Sequence, residues 1–498
     1  MERKNAWKSY SEKDEKAIEK LCDGYKDYLF HGKTEREGTK YVIEKAKAAG
    51  YISLEEAIAS NKKLKAGDKI YAVCMGKTVA LFNIGKKSLE EGMNILGAHL
   101  DSPRLDVKQN PLYESDDLAY LDTHYYGGIK KYQWVTLPLA IHGVVVKTDG
   151  TSIDVVIGED EKDPVFCVTD ILIHLAQNQM TKKASVAVEG EDLDLLIASR
   201  PFVINKDDKA TKSTSKTAAK SVSKTEKNSK STTAKAAKSD ENDSKKENVK
   251  RMVLDILKKK YDMEEEDFMS AELEIVPAGK PRDMGLDSSM IIAYGQDDKV
   301  CAYTSLVAQL NVKKPERTSC TLLVDKEEIG SVGATGMQSK FFENCVAEIL
   351  ELAGENSNLA LRRCLQNSCM LSSDVSAGFD PIYASCFEKK NAAFLGRGMV
   401  FNKFTGSRGK SGSNDANAEY IGKVRGILER NNVYYQTAEL GKVDVGGGGT
   451  IAYILSLYGM EVIDCGVAVL NMHAPWEVTS KADIYETEKG YEAFLKEA

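Results

Sequence analysis

The sequence predicts an α/β protein: a mixed central sheet with helices on both faces, interrupted by an inserted β-rich unit. Three observations predict it. First, Cys320-Thr321-Leu322-Leu323-Val324-Asp325-Lys326-Glu327-Glu328-Ile329-Gly330-Ser331 runs as an apolar strand, then two adjacent carboxylates, then small residues that let the chain turn. Such a run suits a strand buried in an α/β sheet, where ligands bind beyond the carboxyl ends of the strands. Second, strand-length apolar runs alternate with helical patterns over residues 1–107 and 277–498. Third, residues 108–276 carry short segments of period two instead, a β-rich pattern.

In chain order, residues 11–59 alternate charged and apolar positions at helical spacing, as in Lys13, Ala17, Leu21 and Tyr25, and predict two or three helices covering the sheet. Residues 70–75 and 79–84, joined by Gly76-Lys77-Thr78, predict a hairpin, and a strand at 93–98 delivers His99 and Asp101. Strands at 137–146 and 152–157 belong to the β-rich unit. Residues 206–250 are rich in Lys, Ser, Thr and Ala and cannot bury enough apolar surface to offset their ordering entropy, which predicts a disordered insertion. Lysines 212, 216, 220, 224 and 227 leave a basic helix that finds a partner as the alternative.

The α/β pattern resumes after residue 251, with strands at 273–277 and 290–294, a helix at 300–310 and then the strand ending at Val324. A helix over Phe341–Ala353, a strand at 368–373 ending at Asp374, and a glycine-studded loop at 396–413 follow. The last units are a helix opened by Gly446-Gly447-Gly448-Gly449 and one long strand at 462–472 ending at His473. No Lys-Ser/Thr pair follows the four glycines, so they are read as tight helix–strand packing and not as a phosphate cradle.

Bulk properties narrow the classes. At 498 residues the chain should hold roughly two to three domains, enough for a large enzyme. A net charge of −7 points to no nucleic-acid partner. No apolar run reaches the roughly 18–20 residues of a membrane span, and Met1-Glu2-Arg3-Lys4-Asn5-Ala6-Trp7 lacks an apolar signal core, so a cytoplasmic protein is expected. Ten cysteines without a CxxC pair indicate neither a disulfide framework nor a zinc finger. No G-x-S-x-G elbow supports a serine hydrolase.

Five apolar segments end in metal-capable side chains: His99 with Asp101, Asp297, Glu327 with Glu328, Asp374, and His473. Gathered along one sheet edge, His99, Asp297, Glu328, Asp374 and His473 could hold two divalent ions, most simply zinc, with manganese and cobalt accepting the same donors. Three carboxylates against two divalent ions leave one charge for a bridging hydroxide. Each residue alone also has a plainer reading. Glu327 and Glu328 could start a helix, Asp297-Asp298 could cap one, Asp374 could sit in a serine-rich turn, and either histidine could be an ordinary buried one. Asp101 would orient His99 by bonding its other ring nitrogen.

Together the motifs Ala98-His99-Leu100-Asp101-Ser102-Pro103-Arg104, Gln296-Asp297-Asp298-Lys299, Asp325-Lys326-Glu327-Glu328-Ile329-Gly330-Ser331, Ser373-Asp374-Val375-Ser376 and Asn471-Met472-His473 resemble the M18 family of metallo-aminopeptidases, the aspartyl aminopeptidases and their bacterial relatives. The resemblance spans the chain except 206–250 and implies a dinuclear zinc-peptidase fold with the β-rich insertion as an oligomer interface. It places His99, Asp297 and Asp374 on one metal and Asp297, Glu328 and His473 on the other, Asp297 bridging. It makes Glu327 the general base that takes a proton from a metal-bridging water. It also implies that His174 reaches a neighbouring subunit's active site, that Lys403 binds substrate, and that twelve subunits form a tetrahedral assembly. The acidic-substrate branch has a histidine three residues after the aspartate ligand, where this chain has Ala377, and a tyrosine where it has Lys410. Lys403, Arg408 and Lys410 would still favour an acidic first residue, or only order their loop. A related metal-dependent deacylase or carboxypeptidase, or a non-catalytic assembly protein, is the competing reading.

Overall fold

Four apolar runs, Asn94–His99, Ser319–Val324, Cys369–Ser373 and Glu461–Gly466, lie parallel at the centre of a nine-stranded sheet in a computed structural model that describes residues 3–202 and 248–498. Their continuous apolarity is what a sheet covered on both faces requires. Because successive side chains alternate, Ile95, Leu322, Met370 and Val462 pack with the helices Phe341–Ala353, Asn358–Asn367 and Ala452–Ser456. Leu96, Leu371 and Ile463 face the other way, towards Gln296–Asn311, Ala418–Arg430 and Lys481–Glu497. Each such side chain contributes about 1.5–3 kcal/mol when fully buried, so the parallel core fixes the sheet more firmly than any surface pair can.

The predicted hairpin, Lys69–Cys74 with Thr78–Asn83, adds antiparallel to Ser319–Val324. On the far side Met399–Asn402 runs antiparallel to Glu461–Gly466 and parallel to Tyr435–Thr437, which makes the sheet mixed. The first covering helices, Glu12–His31 and Glu35–Ala48, each open with a reciprocal capping box, Ser11 with Asp14 and Thr34 with Glu37.

A second, antiparallel sheet of seven strands contains Arg104–Ser115, Leu118–Tyr126, Leu139–Val146, Ser152–Ile157 and Ala271–Pro277. Its first strand starts at Arg104, ahead of the expected residue 108. The strand near 273–277 belongs to this sheet and not to the resumed α/β pattern. Helix Asn248–Tyr261 covers it with Val249 and Val253. Asn248, Val249 and Lys250 are therefore helical, which corrects the end of the segment expected to be disordered; the rest of that expectation lies outside the described residues.

A third sheet of five strands places Met290–Ala293, Glu477–Ser480 and Ala468–Leu470 side by side. The long strand expected at 462–472 is thus two strands in two sheets. It breaks after Gly466, where a Cβ would stand 2.1 Å from the Asp374 carbonyl oxygen. The four glycines before the helix at 452 also differ from expectation. Gly447–Gly448 pairs with Gly406–Ser407, and a Cβ on Gly446 would lie 1.7 Å from the Leu440 oxygen, so the close approach is loop against loop. Among the described residues no helix is long and apolar enough to cross a membrane.

Candidate active site

The carboxyl ends of Asn94–His99 and Ser319–Val324 meet with Val324 beside His99. Past Val324 the chain turns: Lys326 takes a left-handed backbone (φ 70°), and Glu327–Ile329 form a single 3-10 turn. The turn is tied to Asp101, whose Oδ1 accepts the Glu327 N–H and whose Oδ2 accepts the Glu328 N–H, each at 3.1 Å. Tyr126, from the seven-stranded sheet, donates its hydroxyl to Asp101 Oδ2 at 2.9 Å. Burial raises the Asp101 carboxyl, but His99, Arg104 and Tyr126 outweigh it and hold it below the usual carboxylate range.

Asp297 follows the strand Met290–Ala293 and a left-handed Gly295, and it keeps a non-helical backbone inside Gln296–Asn311. Its two oxygens face different histidines. Oδ1 lies 3.3 Å from His99 Nε2, and Oδ2 lies 3.2 Å from His473 Nε2. Glu328 Oε2 is 3.6 Å from His473 Nε2, and Glu327 Oε2 is 4.0 Å from His99 Nε2. Ligand atoms of His99, Asp297 and Glu328 all fall within 4.8 Å of one another, and so do those of His99, Asp298 and Asp374.

Both imidazoles present the same nitrogen. His99 Nδ1 lies 3.0 Å from the Asp101 carbonyl oxygen, and His473 Nδ1 lies 2.9 Å from that of Gly128. A carbonyl only accepts, so Nδ1 carries the hydrogen and Nε2 is left to bind into the carboxylate cluster.

The cluster fits a bound cation. Among the described residues, His99 Nε2, Asp297 Oδ1, Asp298 Oδ1 and Glu328 Oε1 are buried without a hydrogen-bond partner, and such atoms are costly unless something satisfies them. Burial pushes the carboxyls of Glu328, Asp298 and Asp374 well above their ordinary range, and neighbouring carboxylates add to it. Burial also lifts Glu327 to about 7, with His99 opposing and Asp297 adding. Burial lowers His473, but Asp297 and Glu328 outweigh it and lift the imidazole to about 10. A cation would take the place of that proton and relieve the carboxylates.

The structure brings together His99, Asp101, Asp297, Glu327, Glu328 and His473, with Asp374 joined through Asp298 and His99. Only three of the five bearing segments belong to the central sheet; Met290–Ala293 and Ala468–Leu470 reach the cluster from the five-stranded one. Lys403 and Lys410 are engaged elsewhere: both pair with Asp415, Lys410 at 3.0 Å, and all three are about half exposed. His174 sits on an exposed three-residue 3-10 turn, Ile173–Leu175. Sequence reasoning missed Asp298 as a ligand candidate, Tyr126, the Gly128 carbonyl, Asp415 and Glu477. The adjacency of Asp298 to Asp297 was the one available signal.

A family model described as aminopeptidase I zinc metalloprotease (M18) matches residues 28–495. A Clostridium acetobutylicum protein named "Probable M18 family aminopeptidase 1" is 57% identical over 494 residues, covering 99% of this chain and 98% of that one. The crystal structure of an M18 family aminopeptidase from Thermotoga maritima superposes with a TM-score of 0.88 at 39% identity, covering 100% of both chains. That of aminopeptidase I from Clostridium acetobutylicum gives 0.86 at 55%, covering 99% of each.

Proposed function

The chain belongs to the M18 family of zinc metallo-aminopeptidases, and from that premise we propose that it removes N-terminal residues from peptides at a centre of two divalent cations. The observation that carries the two-cation reading is the bridging posture of Asp297, one oxygen towards each histidine. His99 and Asp374 would hold one zinc with Asp297, and Glu328 and His473 the other; Asp298 stands close enough to His99 and Asp374 to support or share the first position. Cobalt and manganese suit the same oxygen and nitrogen donors. When bound, such ions lower the pKa of water and polarise a scissile carbonyl.

The chain's own residues then have separable tasks. Glu327 has no place among the ligands that Asp297 bridges, and its carboxyl faces the cluster from the His99 side, so it accepts the proton of the attacking water and later hands it to the departing amine. Asp101 fixes the backbone of Glu327 and Glu328 and so sets where both carboxylates point. Lys403 and Lys410 share Asp415, so an acidic first residue would reach them by displacing that carboxylate.

We further propose that residues 1–107 and 277–498 form the catalytic unit, and that 108–276 serve self-assembly into a homo-oligomer, a tetrahedral dodecamer. In support, the segment around His174 exposes Ile171, Leu172, Ile173 and Leu175, about half or more of each side chain. A second subunit would cover that surface and receive His174 at its pocket. The cytoplasm suits a chain whose ten cysteines are all unpaired.

The test is hydrolysis of dipeptides with Asp, Glu, Leu or Lys first, free or N-acetylated, with and without zinc, cobalt or manganese. Metal-dependent cleavage confined to the free-amine set is expected, and the ranking within it reads the acidic preference directly. Cleavage of the acetylated set would make the protein a deacylase or related peptidase instead. Silence with metal bound would leave an assembly protein.

A further inference from the structure

Glu477 opens the strand Glu477–Ser480, and its side chain is 1% exposed. Both of its carboxylate oxygens are spent on the backbone of the site. Oε2 accepts the Asp297 N–H at 3.0 Å, and Oε1 accepts the His473 N–H at 2.8 Å. Asp297, near the start of Gln296–Asn311, and His473, between the strands Ala468–Leu470 and Glu477–Ser480, face each other with their side chains at 3.2 Å. Neither backbone is regular: Asp297 is non-helical within its helix, and His473 has φ 65°, a left-handed conformation that a non-glycine residue holds only when its surroundings fix it.

The local structure is built to hold this carboxylate in place. Ala293 and Glu477 are partners in the antiparallel pairing of Met290–Ala293 with Glu477–Ser480, so the strand leading to Asp297 is registered against the one leaving His473. Gln296 donates its side-chain amide to the Glu477 carbonyl oxygen at 2.7 Å and to that of Ile291 at 3.1 Å. Tyr25, from the first long helix, donates to Gln296 Oε1 at 3.3 Å.

We propose that Glu477 is a positioning residue that sets the separation of Asp297 and His473, and so the affinity of the cation they share with Glu328. This rests on the two-cation reading above. One carboxylate whose two oxygens both accept main-chain N–H groups fixes both ligand backbones at once, which an amide, with a single oxygen, cannot do. In Glu477→Gln one N–H would meet the oxygen and the other an NH2 group, donor against donor, and that ligand's backbone would come loose. The His99 side of the cluster has its own anchors in Asp101 and Asp298. The loss therefore falls more heavily on the His473 position, whose ligands include both clamped residues, than on the His99 position, which shares only Asp297.

The experiment is metal binding by the intact protein, not turnover alone. Wild type, Glu477→Gln and Glu477→Asp are stripped, titrated with Co2+ and followed by the d–d absorption spectrum, and zinc content is measured after dialysis against graded chelator. Wild type is expected to bind two equivalents. Glu477→Gln should hold one of the two about 10–100-fold more weakly, as expected when a partner that orients a ligand is lost, and the other with a smaller loss. Glu477→Asp, which keeps the charge, should fall between. Two equivalents at wild-type affinity in Glu477→Gln would overturn the assignment while leaving the two-cation centre standing. Fewer than two equivalents in wild type would overturn both. Should Glu477→Gln not fold, residue-resolved hydrogen–deuterium exchange on wild type still decides: protected Asp297 and His473 amides are expected, and rapid exchange of either in the loaded protein would refute the clamp.

Discussion

Asp101 Oδ1 accepts the backbone N–H of Glu327 at 3.1 Å across 226 residues of chain. A side chain just past the end of one parallel strand thus aims a carboxylate at the end of its neighbour. Asp101→Asn keeps the shape but presents an amide NH2 where Glu328 or Tyr126 now donates. The expected result is a fall in kcat of about 10–100-fold with near-normal zinc content and KM, read by steady-state kinetics beside elemental analysis.

Glu327→Gln removes the proton carrier without removing a ligand. Turnover should drop by about 10²–10⁴-fold while both metal equivalents remain. A variant that turns over like wild type would remove Glu327 from the proton-transfer role.

Stripping the metal should destabilise the fold as well as silence it. Glu328, Asp298 and Asp374 crowd a buried space that pushes each of them towards neutrality. A ligand that binds only the native state adds about 2.7 kcal/mol when present at a hundred times its Kd. Chelation should therefore lower the Tm, and added zinc should restore it; an unchanged Tm on full removal would count against a buried cation centre.

His142 lies between Glu37 at 2.8 Å and Glu159 at 3.1 Å, with Lys33 also bonded to Glu159. Burial lowers this imidazole, but Glu159 and Glu37 outweigh it and hold it above its ordinary value of 6.5. The native state then keeps a proton that the unfolded chain gives up, so its contribution is full below about pH 6.5 and is lost as pH rises through the folded pKa. Urea unfolding at pH 6 and pH 9 should show wild type losing stability between them and His142→Gln losing less. Equal losses would assign the effect elsewhere.

Three of the four parallel strands were legible as site-bearing because each apolar run leads into metal-capable side chains: His99, Glu327 with Glu328, and Asp374. His473 was found, but on the wrong strand. Gly466 inside an apolar run was the overlooked sign of the break, a position where the backbone of Asp374 comes too close for a side chain. Glu477 and Tyr126 left no such mark. They act by hydrogen bonds to main-chain and carboxylate groups far away in the sequence, and no spacing rule encodes those meetings. The pairing of Lys403 and Lys410 with Asp415 was hidden for the same reason, since composition shows charges without showing which ones meet.

The Tyr126 hydroxyl comes from the seven-stranded sheet and the Gly128 carbonyl from the bend that follows it, yet they brace Asp101 and set the tautomer of His473. The active centre is therefore a seam where residues from three sheets meet, and it is complete only with the seven-stranded one in contact. A chain in which that contact is lost loses the bracing of His473 and Asp101. For a peptidase, bracing supplied from outside the catalytic sheet ties hydrolytic power to the contact between the sheets.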